Sequence, residues 1–139
     1  PGGGETVSGE DAVRDRLLET ARGLLDRCRC PYSRFRVTAA VMCSDGSVHG
    51  GVNVENASYG LTMCAERSAM FAAVSAGCGT ITDLLVYSPD GDPTPCGACL
   101  QVAAELGSSS MRVHMADPDG RVETVTLSSL LPRSFGLDT

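Results

Sequence analysis

Apolar residues recur at helical spacing across residues 9–28, GEDAVRDRLLETARGLLDRC, with Val13, Leu17, Leu18, Ala21, Leu24 and Leu25 on one face and Ser8 as a cap before them. RVTAAVMCSDGSVHGGVNVE then reads as two strands around a Ser44-Asp45-Gly46-Ser47 turn. CAERSAMFAAVSAG is a run of good helix formers that stops at Gly77. ITDLLVYS has the apolar run of a strand buried on both faces. CGACLQVAAELG predicts a further helix ending at Gly107, and MRVHMA and RVETVTL predict two more strands around Asp117-Pro118-Asp119-Gly120. The order is helix, two strands, helix, strand, helix, strand, strand. It predicts the α/β class: a three-layer α/β/α sandwich around a mixed five-stranded sheet. Helical crossovers make part of such a sheet parallel, and the opening hairpin makes part of it antiparallel.

No repeat or Pro-rich linker divides the pattern, and 139 residues are enough to bury one core without staples. Residues 10–139 are therefore expected to form a single domain, with residues 1–9, opening PGGGE, as a flexible leader or cloning remnant. Three Phe, three Tyr and no Trp imply an aliphatic core, in which each aromatic needs a reason. The net charge is −6 with no basic run, which argues against a nucleic-acid surface. No stretch is apolar and long enough for a membrane span, and no export signal is visible. Seven cysteines in such a chain point to a reducing, cytoplasmic setting, where their spacing reads as metal or catalysis before disulfides.

Cys64 opens one predicted helix, and Cys96 and Cys99 lie in the first turn of another. Residues three apart share a helix face, so Cys96 and Cys99 can aim both sulfurs at one point. A helix N-terminus also favours thiolate over thiol. If the two helix starts adjoin at the carboxyl edge of the sheet, three thiolates converge. Three protein ligands with an open fourth position is the arrangement of a catalytic zinc. Glu66, two residues after Cys64, would stand beside the metal without binding it, placed to move protons for a metal-activated water. Arg67 would return positive charge by a hydrogen bond to a sulfur. Taken alone, CGAC is more often a redox pair or two packed thiols. A structural zinc site would need a fourth ligand, from Cys28, Cys30, Cys43 or Cys78, although buried small hydrophobe is the usual fate of such cysteines. His49 and His114 read as strand residues with satisfied hydrogen bonds.

CAE followed some thirty residues later by PCGAC resembles the zinc-dependent cytidine deaminases, whose signature is His or Cys, x, Glu, then Pro-Cys-x-x-Cys. With Cys in the first position the chain is similar to the small, homotetrameric, three-cysteine branch. PYSRFRV, GVNVENASYGLTMCAERSA and LLPRSFG extend the resemblance over most of residues 10–136. It implies one zinc per chain on Cys64, Cys96 and Cys99, with Glu66 as the proton shuttle. It further implies that Asn53 and Glu55 bind the ribose hydroxyls, that Phe35 packs on the pyrimidine, and that the main chain of Ala65 faces the polar edge of the base. Phe135 would close the pocket of a neighbouring subunit. The implied reaction is hydrolytic deamination of cytidine and deoxycytidine, in pyrimidine salvage, with a small-molecule nucleoside as partner and no nucleic acid or membrane. Alternatives are a deaminase of a modified cytosine nucleoside such as blasticidin S, or a zinc-stabilised fold without catalysis. The chain departs from the family pattern at Leu100, where Arg is common, and at Thr38, where Gly is usual.

Overall fold

The computed structural model of the chain describes residues 9–137, so residues 1–8 of the expected leader, with the Ser8 cap, lie outside the described residues, while Gly9, also assigned to the leader, opens the first helix. Helix α1 (Gly9–Gly23) leads into strands β1 (Thr38–Cys43) and β2 (Val48–Val52), helix α2 (Ala65–Ser75), strand β3 (Ile81–Tyr87) and helix α3 (Gly97–Leu106). Strands β4 (Arg112–Ala116) and β5 (Val122–Thr126) and the short helix α4 (Leu127–Leu130) follow. The five strands form one sheet in the order β2-β1-β3-β4-β5. β3 and β4 pair in parallel, and the other neighbours are antiparallel. The helix predicted to run to residue 28 stops at Gly23, where glycine is the costliest residue to hold helical short of proline. A tight turn at Leu25–Arg27 replaces its last stretch.

Alternation along the strands divides the core in two. On one face α1 sets Leu17 and Ala21 against Ala40, Met42 and Leu85. On the other, α2 and α3 bring Ala65, Ala69, Met70, Leu100 and Ala103 against Val41, Leu84, Val86 and Val113. Adjacent glycines in β2 admit both helical layers. A Cβ on Gly50 would meet Leu24 Cδ1 at 2.4 Å, and one on Gly51 would meet the Ala69 backbone nitrogen at 2.3 Å. The second contact seats the α2 backbone directly on the sheet.

The apolar β3 also buries a charge. Asp83 is fully buried, accepting hydrogen bonds from Arg112 Nε and Nη2 at 2.7 and 2.8 Å and lying 2.8 Å from His114 Nε2. His114 Nδ1 is 2.8 Å from Thr124 Oγ1, and His49 Nε2 is 3.1 Å from Ser47 Oγ.

Cys43 and Cys78 depart from the sequence reading, which treated them as separate buried thiols or spare metal ligands. They form a disulfide, with Cα atoms 5.8 Å apart, between the end of β1 and the turn after α2. The pairing comes from topology: α2 crosses back over β1, and Gly77 at φ +95° turns Cys78 toward the strand end. Leu100 packs in the core between α2 and α3, and Thr38 is fully buried with its hydroxyl oxygen unpartnered.

Candidate active site

The pairing directions bring three chain segments to one edge of the sheet. β2 and β3 both run antiparallel to β1, with Val52 and Tyr87 opposite or next to Thr38 at the start of that strand. The chain leaving β2, the chain leaving β3 and the chain entering β1 therefore meet there. Cys64 is the N-cap of α2 and Cys96 the N-cap of α3, both extended (ψ 150° and 167°) and neither bonding its own helix through the side chain. Cys99 lies one turn into α3 and is buried. The Sγ atoms of Cys64 and Cys96 are 3.9 Å apart, those of Cys96 and Cys99 are 3.5 Å apart, and all three lie within 4.8 Å of one another. Among the described residues no fourth His, Cys, Asp or Glu joins this group. A closed four-ligand structural site is thus not what these residues build.

Local charge suits a dication held by thiolates. A hydrogen bond from Cys99 pulls the Cys64 thiol down to about 5, burial opposes this, and Arg67 adds to the lowering. Arg67 Nη2 donates to Cys64 Sγ at 3.2 Å, across one turn of α2. Cys99 moves the other way, held up by its hydrogen bond to Cys64 and by burial. Glu66 is only 5 % exposed, and burial, with the Cys64 charge adding, pushes its carboxyl up to about 7. A soft, convergent thiol set, an adjacent guanidinium and a buried carboxyl fit zinc with an open position.

Beside the sulfurs is a cavity of about 210 Å³. Phe35, Asn53, Glu55, Ala65 and Glu66 line it together with Cys64 and Cys96. Asn53 also braces the pocket wall: its Nδ2 donates to the Phe35 carbonyl at 2.7 Å and its Oδ1 accepts from the Val37 amide at 3.3 Å. Glu55 accepts from the amides of Tyr32 and Ser33 at 3.0 and 3.1 Å and from the Ser33 hydroxyl, which holds its carboxyl below the usual range. Phe135 does not reach this cavity; it is 69 % exposed, and its carbonyl accepts a hydrogen bond from Gln101. Sequence reasoning missed the polar and loop residues Thr62, Asp92, Pro93 and Thr94, and the apolar Val37, Met63 and Val86 complete the lining. Pro-Thr-Pro before Cys96 was the available signal, since proline keeps the residue before it extended and so fixes a loop wall. Larger clefts exist, of about 590 Å³ by Cys28 and Cys30 and about 460 Å³ between Gly91 and Glu123, but neither gathers three thiols and a buried acid.

Comparison with known proteins agrees with this geometry. Residues 12–115 match the family described as the cytidine and deoxycytidylate deaminase zinc-binding region. A cytidine deaminase of Halalkalibacterium halodurans is 44 % identical over 123 residues, covering 88 % of this chain and 93 % of that one. One from Mycobacterium tuberculosis is 45 % identical over 109 residues, 78 % of each chain. The crystal structure of cytidine deaminase from Burkholderia pseudomallei superposes with a TM-score of 0.82 at 41 % identity, over 87 % of this chain and 98 % of that one.

Proposed function

This chain belongs to the cytidine and deoxycytidylate deaminase family with its zinc-binding region, and from that premise we propose that it hydrolyses cytidine and deoxycytidine to uridine and deoxyuridine with release of ammonia. The observation that carries the reading is the convergence of Cys64, Cys96 and Cys99 within 4.8 Å beside the buried carboxyl of Glu66, at the foot of a cavity walled by Phe35.

Cys64, Cys96 and Cys99 would hold one zinc ion, which when bound supplies the Lewis acidity that makes water a nucleophile near neutral pH. Glu66 would take a proton from the attacking water and deliver it to ring N3, so that C4 of the base becomes electrophilic. After the water oxygen has bonded to C4, Glu66 would take the remaining proton from that oxygen and pass it to the exocyclic amine, so that the C4–N bond breaks as the C4 carbonyl forms. Water and cytidine are consumed; uridine and ammonia are formed. Burial of Glu66 suits this role, because a carboxyl that releases and recaptures its proton near neutral pH works in both directions. Three thiolates would leave the ion with excess negative charge, and Arg67 offsets part of it through Cys64. Phe35 packs on the ring, the main chain of Ala65 meets its polar edge, and Asn53 and Glu55 face the sugar hydroxyls.

The same reading includes a homotetramer working in cytoplasmic pyrimidine salvage. In support, the cavity is smaller than the roughly 300–1,000 Å³ of usual ligand sites. Phe135, Tyr59 and Leu61 stand exposed, apolar surface that a neighbouring chain would cover. No helix among the described residues is long and apolar enough to cross a membrane.

The test is loss of cytidine absorbance on conversion to uridine, run on the zinc-loaded protein beside Glu66→Gln. Turnover is expected in the parent, and a drop of about 10²–10⁴-fold with zinc retained in the variant. A parent that holds zinc and leaves cytidine and deoxycytidine untouched overturns the reading and turns attention to modified cytosine nucleosides.

A further inference from the structure

Phe35 sits on a stretch, residues 31–37, that is neither helix nor strand, yet its ring must hold a fixed height above the pocket floor to grip a flat base. Its immediate neighbour supplies a tie. The Arg36 amide donates to Asp90 Oδ2 at 2.8 Å, while Arg36 Nε and Nη2 donate to Oδ2 and Oδ1 at 3.0 and 2.9 Å. The Ser88 hydroxyl donates to the Arg36 carbonyl at 2.7 Å and accepts from the Asp90 amide at 3.1 Å. Both backbone polar groups of Arg36 and its guanidinium are thus bound to one short loop, residues 88–90.

That loop continues into the cavity lining. A Cβ on Gly91, the residue after Asp90, would meet Phe35 Cε2 at 2.6 Å and Cζ at 3.0 Å, so the ring rests on bare backbone there. Asp92, Pro93, Thr94 and Cys96 follow and line the cavity together with Phe35, Asn53 and Glu55. We propose that Asp90, through its fork with Arg36, is a positioning residue that seats Phe35 on Gly91 and so sets the width of the base-binding slot. The inference rests on the deaminase reading for its kinetic consequence, but not for its geometry. The clamp touches neither the sulfurs nor Glu66, so its effect falls on substrate affinity and not on the chemical step.

Asp90→Asn and Asp90→Ala are compared with the zinc-loaded parent in two experiments. In kinetics with cytidine, removal of the fork is expected to raise KM about 10-fold, the weight of one charge-assisted set of hydrogen bonds, with kcat within about twofold of the parent. Inhibition by uridine should weaken in parallel. A merely structural role would instead lower the unfolding temperature and the active fraction while leaving KM alone. In ring-¹³C phenylalanine NMR, with Phe35 assigned by Phe35→Leu, the Phe35 signals are expected to move in both variants and those of Phe71 and Phe135 to stay. Arg36→Gln, which leaves the carboxylate in place, should reproduce both effects and serves if an Asp90 variant does not fold. Unmoved Phe35 signals overturn the clamp whether or not the parent turns over cytidine, and so does an unchanged KM in an active parent background. A parent without turnover overturns the deaminase reading alone, because the ring signals still decide the clamp.

Discussion

Gly51→Ala tests whether the contact between β2 and α2 holds the geometry of the candidate active site. The added Cβ would lie 2.3 Å from the Ala69 nitrogen, 2.7 Å from the Ala65 oxygen and 2.9 Å from the Ala69 Cα, where ordinary contact begins at 3.4 Å. All three atoms are helix backbone, and none can rotate away. α2 must therefore move off the sheet by about 1 Å, at a cost of about 1–3 kcal/mol for overpacking. Cys64 caps this helix and Glu66 sits in its first turn, whereas Cys96 and Cys99 belong to α3. The shift thus pulls one sulfur and the acid away from the other two sulfurs, and a misplacement of that size is worth about 10²-fold in turnover. Gly50→Ala is the matched control: its Cβ meets Leu24 Cδ1, the end of a flexible side chain on the opposite face, at 2.4 Å. Cytidine turnover, bound zinc and thermal unfolding are measured for both variants. Gly51→Ala is expected to lose activity about 100-fold and to hold zinc more weakly, and Gly50→Ala to keep both with a smaller loss of stability. Parental turnover and zinc content in Gly51→Ala would refute the argument, as would equal catalytic damage in the control.

Two further predictions concern groups outside the active site. The Cys43–Cys78 bridge spans 35 residues, which by loop entropy corresponds to at most about 4 kcal/mol. Cys43→Ser/Cys78→Ser should lower the urea midpoint accordingly, and the non-reduced parent, denatured with chelator, should titrate five thiols; seven would refute the bridge. Burial pushes the Asp83 carboxyl up, but hydrogen bonds from His114, Arg112 and Thr82 outweigh it and hold it well below the usual range. A lowered folded-state pKa means that its stabilisation is complete above about pH 4, the ordinary carboxylate value, and is lost as pH falls further. Asp83→Asn should therefore cost about 3 kcal/mol at pH 7, the low end for breaking a buried pair because Arg112 is 34 % exposed, and the gap should narrow below pH 4. A gap that stays constant with pH would show that Asp83 acts by shape alone.

The convergence of the three cysteines at the candidate site was legible because their spacing is local. Cys-Ala-Glu and Pro-Cys-Gly-Ala-Cys each fit within one helix start, where residue spacing maps directly onto direction in space. The same locality exposed the two glycines that end α2 and α3 and the turn between β1 and β2. What stayed hidden are pairings made by sheet register. Asp83 is one polar residue in an apolar strand, and its partners lie 29 and 31 residues on and meet it only because β3 and β4 pair in parallel with Asp83 opposite Arg112. Arg36 and Asp90 are 54 residues apart, and the antiparallel pairing that sets Thr38 against Tyr87 is what brings their loops together. Cys43 and Cys78 meet because α2 returns over β1, and composition argued against a bridge because it judged the surroundings of the chain and not its topology. Asn53 was expected to serve the sugar, yet its amide also ties down the Phe35 carbonyl and the Val37 amide, so one side chain would both bind and build the pocket. Such double use leaves no separate trace in spacing. It follows that substitutions at Asn53 would disturb ribose contacts and Phe35 together, whereas Asp90 isolates the second effect.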